Sequence, residues 1–374
     1  MTDRQDVKFM GQALELAKKG MGFVSPNPMV GAVIVRDGEI IGRGWHQQYG
    51  GLHAERNAFK DCDDRGIDCS GADIYVTLEP CCHYGKTPPC TEAIIDHGIK
   101  RVFIGSGDPN PLVAGKGVKL LREQGIQVTE GVLKAECDEL NEIFFHYITT
   151  KRPFVTMKYA MTLDGKIACY TGRSKWVTGE AARQDVQKQR LRHSGIMVGI
   201  GTVLADDPML TCRLQGGRDP VRIICDSKLR IPLESNIVKT AKEVKTYIAA
   251  AVCDESKVRQ LESAGCHIIE AGGADGRVDL KKLMKTAGEE LGIDSILLEG
   301  GAELNWAALK SGIVSKVRAY VAEKIFGGAE AKSPVGGEGA ADPSDAFELT
   351  EGRISVIGED IVIESRVRNV HGNS

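Results

Sequence analysis

Apolar residues recur at helical spacing near the start of the chain, with Val7, Met10, Leu14 and Ala17 on one face. The first element is therefore expected to be an amphipathic helix, ended by Gly20 and Gly22. The two prolines of VSPNP force an extended loop. VGAVIV and IIGRGWH flank an Asp-Gly pair, the pattern of a β-hairpin. From there strands and helices alternate: HAERNAFKDC (helix), ADIYVTLEP (strand), TEAIIDHG (helix), RVFIGSGD (strand), GVKLLREQG (helix), IQVTEGV (strand), then a helix through about Tyr147. Such alternation predicts helices covering both faces of a sheet that is largely parallel beyond the hairpin.

The pattern changes near TTKRP, at 149–153. FVTMKYAMTLDGKI is apolar and β-rich, and EAARQDVQKQRLRHSG is a polar helix. IMVGIG, VRIICDS and KTYIAAAV read as buried strands, KKLMKTAGEELG as a helix, SILLEGG as a strand, and AELNWAALKSG as a helix. SKVRAYVAEKIFGG is a strand, and RISVIGEDIVIES a closing hairpin. Residues 336–346, rich in Gly and Asp, read as a surface loop. With 374 residues, two domains are expected, 1–149 and 150–374, both α/β.

Composition removes several classes. An apolar fraction of 42% with 26% charged residues is that of a globular protein, and a net charge of −3 without long single-sign runs disfavours a nucleic-acid partner. No stretch is apolar enough to span a bilayer, and the first residues lack a signal-type run, so no membrane partner is expected. Eleven cysteines, scattered, suggest reduced thiols in a cytoplasm, some of them metal ligands.

The chemistry concentrates in two places in the first half. His53-Ala54-Glu55 opens a helix, and in a first turn the two side chains can converge on one site. Then EPCCHYGKTPPC, residues 79–90, offers cysteines at a strand end, with Cys90 starting a helix behind two prolines. A thiol at a helix start has a lowered pKa. Three donors from such positions would leave a fourth place for water, as in a catalytic zinc site; a structural clip or core thiols are the competing readings.

His-x-Glu followed by Pro-Cys resembles the zinc-dependent cytidine-deaminase superfamily. That resemblance implies His53, Cys81 and Cys90 as Zn2+ ligands, one ion per chain, with Glu55 moving protons between the water and the leaving amine. Cys82 is left without a role. The spacing departs from Pro-Cys-x-x-Cys, and PCCHYGKTPPC instead resembles the bifunctional riboflavin-biosynthesis deaminase/reductase family. SPNPMVGAV and the GDPNP loop at 107–111 match it too. The resemblance covers the whole chain. It implies a cytidine-deaminase-like three-layer α/β/α domain followed by a dihydrofolate-reductase-like α/β domain. Asn27, His46, His83, Lys86, Asp108 and Asn110 match positions that contact a phosphorylated pyrimidine. Amide and carboxylate groups suit a pyrimidine edge, and a lysine suits a phosphate.

In the second half, Lys158 opens KYAMTLDGK, which resembles the reductase motif of the same family and implies NADPH as hydride source. SILLEGGAELN is a strand, a Gly-Gly turn and a helix start, a geometry that holds a pyrophosphate. By resemblance, Ala160, Trp176, Thr202, Asp206, Ser227 and the stretch Gly301, Ala302, Glu303, Leu304, Asn305, Trp306 and Ala307 match cofactor positions. Ser174, Arg190, Leu210, Arg213 and Glu299 match substrate positions, the two arginines as phosphate ligands. Trp176 could equally be a core aromatic, and Asp206 a cap or turn residue. Lys158 is assigned to polarising the sugar oxygen. The alternative is a nucleoside or tRNA deaminase fused to an unrelated domain. A homo-oligomer is expected.

Overall fold

The protein is described by a computed structural model, covering residues 4–85, 88–110, 113–252 and 254–368. It divides into two units, Met1–Lys151 and Arg152–Ser374.

In the first unit, α1 (Arg4–Lys18) precedes a hairpin of β1 (Gly31–Arg36) and β2 (Glu39–Trp45). Asp37 and Gly38 both take positive φ, 53° and 80°, as a tight two-residue hairpin turn demands. Then follow α2 (Ala54–Asp63), β3 (Asp73–Leu78), α3 (Cys90–Asp96), β4 (Arg101–Ser106), α4 (Lys116–Glu123), β5 (Gln127–Glu130), α5 (Lys134–Leu140) and α6 (Glu142–Thr150). The sheet runs β2-β1-β3-β4-β5, antiparallel around β1 and parallel from β3 to β5. Both faces of β1 are covered. Ala32 and Ile34 pack with Ala58 and Phe59 of α2, while Val33 and Val35 pack with Phe9, Met10 and Ala13 of α1. Each large side chain so buried contributes roughly 1.5–3 kcal/mol. Val7, expected on the apolar face of α1, is 40% exposed, and Phe9, Ala13 and Leu16 are buried instead. Gly44 lets α2 lie directly on β2: a Cβ there would sit 2.2 Å from the Ala54 carbonyl oxygen. This close seat fixes the start of α2, which matters for the site. The single helix expected through Tyr147 is two, broken at Asn141, whose side chain instead bonds both backbone groups of Met29 at 2.9 and 3.0 Å.

The second unit holds β6 (Phe154–Thr162), α7 (Glu180–Arg192), β7 (Gly195–Gly199), α8 (Ile200–Asp206), β8 (Val221–Cys225), α9 (Asn236–Lys239) and β9 (Thr246–Ala250). After these come α10 (Glu255–Ser263), β10 (Cys266–Glu270), α11 (Leu280–Lys285), β11 (Ser295–Leu298), α12 (Ala302–Lys310), β12 (Val314–Ala322), β13 (Leu349–Ile357) and β14 (Asp360–Val367). The sheet order is β10-β9-β8-β7-β11-β6-β12-β14-β13, parallel up to β12. Successive residues of β7 and β8 alternate between two cores: Met197 and Ile223 on one side, Ile196, Val198 and Ile224 on the other. The elements α8, α10 and β10 carry weak sequence signals. Of α10 only Leu261 is buried, and β10 is an edge strand in which only Cys266 and Ile269 are buried. In this arrangement β6, β7, β8 and β11 end on one edge, the edge that binds ligands in open parallel sheets.

Candidate active sites

His53 is the N-cap residue of α2 and its side chain makes no capping bond. Its Nδ1 lies 3.5 Å from Cys81 Sγ and 3.4 Å from Cys90 Sγ. The three donor atoms all fall within 4.8 Å of one another. A tetrahedral zinc with bonds of about 2.3 Å to sulfur and about 2.0 Å to nitrogen requires donors about 3.5 Å apart, so the set fits that ion. Cys82, the neighbour in sequence, is not in the cluster.

Protonation follows from the fold. Cys81 is brought down to about 4, chiefly by a hydrogen bond from Cys90, against burial and with help from His53. The backbone N–H of Cys90, first residue of α3, also donates to Cys81 Sγ at 3.4 Å. The positive end of α3 thus acts on Cys81. The thiol of Cys90 is pushed above its usual range by its bond to Cys81, by burial and by Glu55. A cation among the three donors takes the place of these shared protons.

Glu55 sits in the first turn of α2 and is 3% exposed. Burial raises its pKa, and the Cys81 charge adds to this. A carboxyl with raised pKa beside a metal site is suited to taking up and releasing protons near neutral pH. His46 is buried and lowered in pKa by desolvation. Its Nδ1–H donates to the Leu52 carbonyl at 2.9 Å, leaving Nε2 to accept from Asn27 at 3.1 Å. Asn27 is thus held by a neutral imidazole. Asp108 is raised to about 6, first by burial, although the Asn110 backbone N–H donates to it at 2.8 Å. His83 is half-buried, and among the described residues its Nδ1 has no hydrogen-bond partner. Lys86 lies outside the described residues. The sequence pattern alone assigns Glu79 no role, although an acid directly before Pro-Cys at a strand end is a visible signal. Its buried carboxylate binds the loop that carries Asp108.

In the second unit, Lys158 and Ala160 share one face of β6, and Glu299 follows β11. Glu299 accepts a two-pronged pair from Arg190 on α7, Nε to Oε1 at 2.6 Å and Nη2 to Oε2 at 3.0 Å, with Lys158 Nζ at 3.7 Å. Arg190 also donates to the Thr211 carbonyl. Its fork, expected for a phosphate, is therefore occupied by Glu299. Arg213 is exposed and its charge acts on Glu299. Leu210 is buried at a positive φ of 54°, and Ser174 is half-buried.

Around the cofactor positions, Gly300 and Gly301 take φ of 104° and 85°, and open space lies where a Gly300 Cβ would stand. Gly301 caps α12 without a side-chain bond, and Thr202 Oγ1 is 3.6 Å from where its Cβ would be. A bare helix start beside a hydroxyl fits a pyrophosphate. The rest of the 301–307 stretch is spent otherwise. Asn305 is buried and donates to the Pro334 carbonyl at 2.8 Å; Glu303 accepts from Gly337 N–H; Trp306 packs on Phe347; and Leu304 and Ala307 lie against the core. Trp176 is 60% exposed, not a core aromatic, and stacks with Arg183 at 4.7 Å. Asp206 ends α8 and is exposed. Ser227 follows β8, its Oγ accepting from Val278 N–H. The Asp164 carboxylate of LDGK accepts from the Phe326 and Gly327 N–H groups, so that motif ties down a loop.

Fold and sites together define a zinc-dependent pyrimidine deaminase unit followed by a nucleotide-dependent reductase unit. Residues 3–106 match the cytidine and deoxycytidylate deaminase zinc-binding region, and 153–363 match the RibD C-terminal domain. The riboflavin biosynthesis protein RibD of Actinobacillus pleuropneumoniae is 54% identical over 96% of this chain and 94% of its own. RibD of Acinetobacter baumannii superposes with a TM-score of 0.84 at 35% identity, covering 97% of this chain and 99% of that one. A diaminohydroxyphosphoribosylaminopyrimidine deaminase/5-amino-6-(5-phosphoribosylamino)uracil reductase from Thermotoga maritima superposes at 0.83 with 39% identity and the same coverages. The chain belongs to the RibD family of bifunctional riboflavin-biosynthesis enzymes.

Proposed function

We propose that the first unit deaminates 2,5-diamino-6-ribosylamino-4(3H)-pyrimidinone 5′-phosphate and that the second reduces the ribosyl group of the product, 5-amino-6-(5-phosphoribosylamino)uracil, to ribityl. The observation that carries the first half is the His53–Cys81–Cys90 cluster with a buried Glu55 beside it. Zinc held by those three side chains supplies an activated water. Glu55 accepts a proton as water adds to the amine-bearing ring carbon and returns it to the departing ammonia, so the amine is exchanged for a carbonyl. Asn27 and Asp108 read the ring edge, and His83 and Lys86 take the ribose phosphate.

In the second unit NADPH supplies the hydride. The α12 start and Thr202 are suited to its pyrophosphate, and Ala160, Trp176 and Ser227 would help to hold it. Lys158, paired with Glu299, faces the sugar oxygen, and Arg213, with its exposed guanidinium, takes the phosphate. Binding both reactants in register is this unit's main contribution. The nucleoside- or tRNA-deaminase alternative falls because residues 153–363 match a reductase domain of riboflavin synthesis.

No helix among the described residues is long and apolar enough to cross a membrane. The ten described cysteines are all free, which suits a reducing cytoplasm. A homo-oligomer is supported by β13, an edge strand exposing Ile354 and Val356. The test is product analysis. The purified chain should release ammonia from the diaminopyrimidine phosphate without NADPH, and oxidise NADPH once that product is present. Absence of ammonia with zinc bound would refute the assignment.

A further inference from the structure

The GDPNP loop leaves β4 and returns at α4. Its Asp108 carboxyl feels the charge of Cys81 and His83, and N–H groups at both ends of the loop converge on one acid outside it. Glu79 is 5% exposed and stands two residues before Cys81. Its Oε2 accepts from the Gly115 N–H at 2.9 Å and the Asp108 N–H at 3.4 Å. Its Oε1 accepts from the Gly117 N–H at 3.1 Å and the Val118 N–H at 3.3 Å. One carboxylate therefore gathers donors from both ends of the loop and from the first turn of α4, where a negative charge is favoured. The backbone of Glu79 is itself fixed, its N–H donating to the Ser106 carbonyl at 2.9 Å. Gly117 is required for the approach: a Cβ there would lie 2.2 Å from the Pro80 carbonyl oxygen and 3.2 Å from Glu79 Oε1.

We propose that Glu79 is a positioning residue of the deaminase site, a clip that sets Asp108 and Asn110 at a fixed distance from the metal ligands. The inference rests on the reading of Asp108 and Asn110 as substrate contacts. Through the peptide Glu79-Pro80-Cys81, the residue that holds the loop is chained to a metal donor, so ring-edge recognition and metal are built on one rigid strand end. The same carboxylate satisfies the buried N–H groups of Gly117 and Val118, which would otherwise be orphaned.

The test is steady-state deamination by the full chain, with zinc content and NADPH oxidation on the deaminated substrate measured alongside. Glu79→Gln turns an amide N–H toward some of these donors. It should raise KM for the diaminopyrimidine phosphate roughly tenfold, with a smaller change in kcat and with zinc and reductase activity retained. Glu79→Asp, one methylene shorter, should fall between the two. Gly117→Ala, which keeps the acid but forces the clip apart, should raise KM in the same way and serves if the Gln variant does not fold. An unchanged KM in zinc-replete Glu79→Gln or Gly117→Ala would overturn the proposal, as would loss of zinc in step with loss of activity. Asp108→Asn and Asn110→Ala separate the underlying reading. If neither moves KM, the loop does not touch substrate; if they do and Glu79→Gln does not, only the clip is wrong.

Discussion

Replacing Glu299 by glutamine should destabilise the reductase unit in a way that depends on pH. The Glu299 side chain is 8% exposed, and those of Arg190 and Lys158 are 11% and 15% exposed. Burial alone would raise the pKa of Glu299, but the charges of Arg190 and Lys158 overcome it and hold it at about 2, against an ordinary 4.5. At about 1.4 kcal/mol per pH unit, that difference corresponds to about 3 kcal/mol of stability at neutral pH. The folded-state pKa is the depressed one. The contribution is therefore complete above about pH 4.5 and fades as pH falls toward about 2, with more than half gone by about pH 3. Glu299→Gln removes the anion and leaves two buried cations facing each other, a cost of about 3–5 kcal/mol. For a unit of this size, that lowers the melting temperature of the reductase transition by roughly 6–20 °C near pH 7. Calorimetry of the full chain from pH 7 to pH 3 should show the deficit narrowing as the wild type loses its advantage. Adding Lys158→Met to Glu299→Gln should recover part of the loss, since one unpaired cation goes with it. A variant melting within about 2 °C of wild type at pH 7, or a deficit constant down to pH 3, would refute the account of this triad.

Three further outcomes concern the deaminase unit. Glu55→Gln should keep zinc and lower deamination by at least about a hundredfold while NADPH oxidation on the deaminated substrate continues; loss of both activities would contradict separate sites. Cys81→Ser and Cys90→Ser should each lose zinc by metal analysis, whereas Cys82→Ser, outside the donor cluster, should retain zinc and activity. Burial, with Glu79, Cys81 and His83 as charged or titratable neighbours, raises the Asp108 carboxyl to about 6. If its carboxylate accepts from the ring edge, KM for deamination should rise as pH falls through about 6, and Asp108→Asn should abolish that inflection.

Much of the element order could be read from the sequence, because alternation and turn chemistry are local. The Asp37-Gly38 hairpin and the start of α2 at His53 are examples. The metal donors could be named because residue type and position at element ends limit the choice to a few side chains. What the sequence does not carry is which polar group meets which. Cys90 has the helix-start position, yet its backbone N–H donates to the sulfur of Cys81, so the helix start serves both thiols. Nothing local dictates this; the β3–α3 connection decides it. Arg190 sits in a run that reads as solvated, or as a phosphate ligand, until β11 places Glu299 against it, 109 residues away. Glu79 stood in plain view beside the cysteines, but its four partners lie 29 to 39 residues on.

The same limit shapes the cofactor stretch. A strand, two glycines and a helix announce a phosphate cradle, and the positive φ of Gly300 and Gly301 gives it the required backbone. The side chains that follow are then divided by period: at 3.6 residues per turn, Leu304 and Ala308 turn inward while Asn305 meets the chain returning at Pro334. Within the seven-residue match, several side chains therefore already have partners in the protein. The part that can face a phosphate is the N–H-bearing first turn, and the remainder supports it by fixing α12 against the sheet and the 333–347 segment. The deaminase unit is built on the same division. His53 caps α2 and Glu55 lies in its first turn, and the rest of that helix, seated on β2 through Gly44, fixes where both stand.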